Sequence, residues 1–247
     1  MFEDAMAEPS IATPPPLPVL RGVFFITGTD TEVGKTWVSC RLLERARDAG
    51  LSCYGLKPVA AGCEDTAEGL RNEDALQLMA ASSMALPYEQ VNPVALKAAI
   101  APHIAARQES RRIDLTRLAG YVRGALNSHP ADLVLVEGAG GWLVPLNERE
   151  TLANLVQELN CPVILVVGVR LGCLNHALLT AQAVAAAGLP LAGWVANCID
   201  PDAARIEDNI ATLKQRLPAP CLGVVPNALD RTPVDLVQYL DIDLLLN

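Results

Sequence analysis

At 247 residues, with 51% hydrophobic and 19% charged side chains, the chain can bury one substantial core without a disulfide or a metal as a staple. Only 4% of the residues are aromatic, so that core is built mainly from Ala, Val, Leu and Ile, and disorder, collagen and small secreted scaffolds are excluded. A formal net charge of −9 removes nucleic acids and anionic membrane surfaces as partners, because both need a basic face to neutralise phosphates.

Residues 1–21, MFEDAMAEPSIATPPPLPVLR, carry acidic groups and a proline run where a signal peptide needs positive charge and an apolar segment. They are expected to form a flexible extension ahead of one domain spanning residues 22–247. No stretch reaches about 18 uninterrupted apolar residues. The seven cysteines, at positions 40, 53, 63, 161, 173, 198 and 221, form no CxxC pair, which suits reduced thiols in a soluble cytoplasmic protein.

From Gly22 onward, short β-branched runs alternate with helical segments, the rhythm of βαβ units around a parallel sheet. The pattern predicts strands at Val23–Thr27, Ser52–Pro58, Leu133–Glu137, Val163–Val167, Leu191–Asn197 and Cys221–Val225. It predicts helices at Lys35–Ala49, Glu73–Ala81, Leu115–Asn127, Thr151–Leu159, Asn175–Ala187 and Ala203–Arg216, with Gly50 and Gly188 ending two of them. The stretch from Ala60 to Arg112 breaks the rhythm with scattered Pro, Gly and polar residues and no convincing strand, so it is expected to leave the sheet.

FFITGTDTEVGKTWVSCRLLERA runs from an apolar strand through a glycine turn into an amphipathic helix, the setting that a phosphate-binding loop requires. Gly28 and Gly34 permit the tight turn, Lys35 reaches terminal phosphates, and the Thr36 hydroxyl suits Mg²⁺. Five residues separate the two glycines, one more than in the usual GxxxxGK[ST].

DLVLVEGAGG places Glu137 at the end of a strand, where open α/β sheets bind ligands, as a candidate Mg²⁺ ligand. Asp74 in GLRNEDA is a second candidate, although Asn-x-Asp before a helix is also an ordinary cap. Lys57 in YGLKPV is either a second cation near the phosphates or a snorkelling surface lysine. Asn197 in GWVAN either pairs with a nucleobase edge or serves a turn. His103, His129 and His176 form no metal or triad spacing, and nothing marks Cys173 or Cys198 as a thiolate nucleophile.

GTDTEVGKT, KPVAAG, GLRNEDA, Asn92–Val94, Ala101–His103, VEGAGGW, VVGVRLGCLNHALLTAQ and GWVAN, in this order, resemble the dethiobiotin synthetase family over nearly all of the chain after residue 22. The extra loop residue is a feature of that family. The resemblance implies an α/β, P-loop NTPase-like fold with a mostly parallel sheet of about seven strands flanked by helices, in a cytoplasmic homodimer. It implies ATP- and Mg²⁺-dependent carboxylation and ring closure of 7,8-diaminononanoate with CO2, giving dethiobiotin, ADP and phosphate through a carbamate and a carbamic–phosphoric anhydride. This is a C–N-forming ligase step of biotin biosynthesis.

By position, Thr31, Glu32, Val33, Gly34, Lys35 and Thr36 then serve the nucleotide. Thr36, Asp74 and Glu137 form the Mg²⁺ site, and Asn197 with the loop at Pro226 holds adenine. Lys57, Lys35 and Thr36 carry the chemistry, Lys57 acting on the substrate and the phosphoryl group. Gly138, Gly140 and Gly141, with Leu171, Gly172 and Asn175 from the second subunit, bind the diamine, and Asn175 at a helix N-terminus suits its carboxylate. Ala61 stands where many family members have a hydroxyl residue.

A partition-type ATPase is a competing reading of a variant phosphate loop in a parallel sheet. Such proteins often carry an additional lysine early in the loop, absent from TGTDTEVG, and the acidic tail VDLVQYLDIDLLLN lacks the basic character of a membrane-attaching helix.

Overall fold

The computed structural model describes residues 22–227 and 239–246; the predicted extension at 1–21 lies outside them. In chain order the first half holds β1 (Val23–Gly28), α1 (Lys35–Asp48), β2 (Cys53–Leu56), β3 (Val59–Ala61), β4 (Glu64–Thr66), β5 (Gly69–Arg71), α2 (Glu73–Ala81), α3 (Tyr88–Val91), β6 (Val94–Leu96), α4 (Pro102–Gln108) and α5 (Leu115–Ser128). The second half holds β7 (Leu133–Gly141), α6 (Leu152–Leu159), β8 (Val163–Gly168), α7 (Cys173–Ala186), β9 (Leu191–Asn197), α8 (Ile206–Arg216), β10 (Cys221–Val225) and α9 (Asp243–Leu246).

The main sheet runs β10-β9-β8-β1-β7-β2, and every pairing in it is parallel. It has six strands among the described residues, not the seven that the resemblance implies. β1 and β8 are buried along their whole length, which is why they read as unbroken apolar runs rather than alternating ones.

The period of two divides the core. Phe25, Val134 and Val136 face the layer of α5 and α6, where Leu118, Val122, Leu155 and Val156 pack. Ile26, Leu133, Leu135, Ile164 and Val166 face Val38, Leu42 and Leu43 of α1 and Leu78 of α2. Leu165, Val167 and Trp194 face α7 and α8 through Ala177, Ala181 and Leu213.

The stretch from Ala60 leaves the main sheet as expected, but it is not without strands. β3 pairs in parallel with β6, and β4 pairs antiparallel with β5, in two small sheets apart from the main one. Each of these strands has three residues, too few for an alternating pattern to register. Several boundaries also shift. β7 runs on to Gly141, so Glu137 lies within the strand rather than at its end, because Gly141 still pairs with Gly28 of β1. β2 stops at Leu56, one residue before Lys57. α8 starts at Ile206 rather than Ala203. α7 starts at Cys173 behind a left-handed Gly172, so Asn175 lies within its first turn.

α1 and α2 press directly onto β2. A Cβ on Gly55 would lie 2.9 Å from Leu78 Cδ2, 3.0 Å from Leu78 Cβ and 3.1 Å from Leu43 Cδ1. Gly55→Ala is therefore expected to destabilise the fold by about 1–3 kcal/mol in urea unfolding. An unchanged midpoint would mean that both helices can retreat from the strand.

Candidate active site

The loop between β1 and α1 is held from three sides. Thr29 N–H donates to Val166 O at 3.0 Å, and Gly168 N–H donates to Thr29 Oγ1 at 3.3 Å. Asp30 accepts from Arg170 at 2.6 Å and from the Thr31 N–H at 2.8 Å. Asn197, at the end of β9, donates its Nδ2 to Val33 O at 2.9 Å. Glu32 (φ +60°) and Gly34 (φ +85°) take left-handed backbone conformations. At Glu32 this costs about 1–2 kcal/mol, strain of the kind that concentrates at binding loops. No side chain caps α1, so the amides of its first turn are left for an anion. The Lys35 Nζ meanwhile donates to Asp30 O at 3.0 Å.

Register builds the charged centre. Leu56 is level with Val136 and Ile26 with Glu137, so Lys57 emerges from β2 beside Glu137. Lys57 Nζ donates to Glu137 Oε1 at 2.7 Å, to Asp74 Oδ2 at 2.8 Å and to Gly138 O at 3.3 Å. Glu137 is fully buried and Lys57 is 4% exposed, whereas the Asp74 side chain is 41% exposed. Thr36 donates to Glu137 Oε1 at 2.7 Å, and the Ser39 hydroxyl lies 2.8 Å from Glu137 Oε2. Asn72 caps α2 by accepting from the Ala75 N–H, which places Asp74 in the first turn, facing Lys57.

The charges respond accordingly. Burial opposes the Lys57 ammonium, but Glu137 and Asp74 outweigh it and hold its pKa above the usual lysine value. Burial also works against the Asp74 carboxylate, yet the Lys57 charge and hydrogen bonds from Lys57 and Thr36 hold its pKa below the usual range. Lys35 goes the other way. Burial, helped by repulsion from Lys57, lowers its pKa to about 8 against the attraction of Glu137, Asp74 and Asp30.

A cavity of about 790 Å³ opens over this centre, lined by Thr31, Glu32, Gly34, Lys35, Thr36, Lys57, Asp74 and Gly140 among the predicted residues. Glu137 lies beneath its floor, and the Val33 side chain packs into the core. Gly138 packs on the Phe25 ring, and Gly141 pairs with Gly28. Trp142 anchors the following loop edge-on to Phe25, with ring centroids 6.3 Å apart. Leu171, Gly172 and Asn175 are exposed and do not line the cavity; neither do Asn197, Pro226 or any histidine.

Sequence reasoning missed Trp37, Asn72 and the Ala99–Pro102 segment as cavity walls; only the Ala101–His103 motif signalled the last of these. All seven cysteines are free thiols, and burial pushes Cys40 and Cys161 up to about 12, far from a thiolate nucleophile.

Among the described residues no group of three or more His, Cys, Asp and Glu could hold a metal. Thr36, Asp74 and Glu137 instead offer only hard oxygen donors around a point already occupied by the Lys57 cation. That set fits Mg²⁺, which keeps waters and takes one or two carboxylates beside phosphate oxygens.

A family described as an AAA domain matches residues 22–234. The chain is 61% identical over 224 residues to the ATP-dependent dethiobiotin synthetase BioD of Cellvibrio japonicus, covering 91% of this chain and 97% of that one. It is 58% identical to the protein of the same name from Pseudomonas aeruginosa strain UCBPP-PA14 (89% and 96% covered) and 52% identical to that of Marinobacter nauticus (89% and 95%). Among solved structures, the MinC:MinD cell division complex of Aquifex aeolicus matches with a TM-score of 0.55 at 17% identity, over 87% of this chain and 84% of that one. This likeness concerns the P-loop α/β fold alone.

Because bound polyphosphate favours a charged Lys35, binding above the free-state pKa of about 8 must draw a proton from solvent. ADP affinity measured by calorimetry without metal should fall only about twofold between pH 7 and 8. It should then weaken by up to about tenfold per pH unit, and Lys35→Met should remove the slope. A wild-type profile flat to pH 10 would contradict this account of Lys35.

Proposed function

We propose that this chain, which belongs to the ATP-dependent dethiobiotin synthetase family, closes the ureido ring of dethiobiotin on 7,8-diaminononanoate with CO2 and ATP, releasing ADP and phosphate in biotin biosynthesis. The observation that carries the chemistry is the buried Lys57, paired to Glu137 and Asp74, in a cavity shared with Lys35 and Thr36.

An alkylamine with a pKa of about 10.4 is neutral in roughly one molecule in a thousand at pH 7, so the nucleophile is scarce. Lys57 and Lys35 disfavour a further ammonium ion and stabilise the carbamate anion formed when the neutral amine captures CO2. The same two cations then stabilise the phosphoryl group as it passes from ATP to the carbamate oxygen. The second amine of the same molecule attacks the mixed anhydride, expels phosphate and closes the ring, with proximity supplying much of the rate. Mg²⁺, held by Thr36, Asp74 and Glu137, would neutralise phosphate charge when bound.

Adenine is assigned to the side of Asn197 and Pro226. The diamine is assigned to the Gly138–Pro145 loop and to the Leu171–Asn175 turn of a second copy. Support for the homodimer comes from Leu171, wholly exposed, and Leu179 on α7, 55% exposed, apolar surface that a second copy would cover. Seven free thiols support a cytoplasmic setting. No helix among the described residues is long and apolar enough to cross a membrane.

Purified protein with Mg-ATP and bicarbonate should release ADP only when the diamine is added, with stoichiometric dethiobiotin by mass spectrometry. ATP turnover indifferent to the diamine would replace this reading with a partner-controlled ATPase. Lys57→Ala should lower kcat by about 100-fold or more while changing the KM for ATP far less. Equal losses in both would remove Lys57 from the phosphoryl-transfer step.

A further inference from the structure

We infer that Ser39 is a positioning residue that fixes the orientation of the Glu137 carboxylate for the metal, an assignment that rests on the reading of Thr36, Asp74 and Glu137 as the Mg²⁺ site. Glu137 is fully buried, so each of its oxygens must find a donor inside the protein. Thr36 and Lys57 both use Oε1, at 2.7 Å each. Both also line the cavity, and both have other work in the reaction, at the metal and at the phosphoryl group.

Ser39 uses the other oxygen, Oε2, at 2.8 Å, and it does not line the cavity. It is fully buried, about one helical turn beyond Thr36 on α1, beyond the reach of a ligand in the cavity. The terminal torsion of a glutamate is broad and poorly self-determined. When Thr36 and Lys57 turn towards the ligands, Ser39 keeps Oε2 anchored and Oε1 stays aimed at the cavity. Serine inside a helix also bonds the carbonyl four residues back, and Ser39 lies 2.9 Å from Lys35 O. Its single hydrogen is therefore shared between that carbonyl and Glu137. A serine that served only the helix would leave metal binding unchanged when it is removed.

The test is Mn²⁺ binding to the full chain with ADP, followed by electron paramagnetic resonance, for wild type, Ser39→Ala, Ser39→Cys and Glu137→Gln. Removing a group that orients a ligand is expected to raise the Mn²⁺ half-saturation about 10- to 100-fold in Ser39→Ala. Ser39→Cys keeps the side chain's shape with a weak donor and should show a similar loss, which separates hydrogen bonding from packing and keeps the test open if the alanine variant does not fold. ADP affinity in metal-free buffer should stay at the wild-type level in both. Unchanged Mn²⁺ half-saturation in the Ser39 variants, with a loss in Glu137→Gln, would overturn the role of Ser39 alone. No loss in Glu137→Gln would overturn the metal-site reading and the role of Ser39 with it.

Discussion

A carboxylate with no access to water cannot stay charged without a cation against it, and Glu137 meets that requirement through Lys57. Removing either partner of such a pair typically costs about 3–5 kcal/mol, because the survivor is left charged and buried. The surrounding architecture serves this contact. The β1–β7–β2 register makes the two residues level, and Asn72 caps α2 so that Asp74 supplies the second carboxylate. Asn92 ties the strand end in place by donating to Lys57 O at 2.7 Å.

The two lysines divide the work because their surroundings differ. Lys57 sits between two carboxylates and stays an ammonium ion over the whole physiological range. Lys35 has a backbone carbonyl as its hydrogen-bond partner, and burial, with Lys57 as a like charge nearby, lowers its pKa to about 8. In the free protein one cation is paired to two carboxylates and the other to a backbone carbonyl. A polyphosphate gains most from the second, whose charge has the least compensation in the free protein.

The parts of this design that are local in sequence were legible there. Gly34, Lys35 and Thr36 are specified by a turn and a helix start within a few residues, and β1, β7, β8, β9 and β10 announce themselves as largely apolar runs of four residues or more. The partner of Lys57 was not legible, because it follows from a strand pairing between residues 80 apart. The small sheets of β3 with β6 and β4 with β5 escaped because three-residue strands carry no period. At Asn72-Glu73-Asp74 the ambiguity dissolves: the segment is an ordinary cap through Asn72 and places Asp74 on the lysine at the same time. Asn197 had two readings, nucleobase or turn, and the structure adds a third, in which its amide braces Val33.

That brace joins the loop after β1 to the end of β9, two segments that the sequence presents as separate. A Cβ on Gly34 would lie 2.2 Å from Asn197 Nδ2, on a residue already held at φ +85°. Glycine is thus demanded twice, by backbone conformation and by the side chain at the end of β9. Gly168 is matched to the same loop, since a Cβ there would meet Val33 Cγ1 at 2.8 Å and Ile199 Cδ1 at 2.7 Å. The curvature of the phosphate loop is therefore set by the ends of β8 and β9 as much as by its own glycines. The Asn197 Nδ2–Val33 O bond thereby couples the end of β9 to the phosphate loop, and a change at either end is felt at the other.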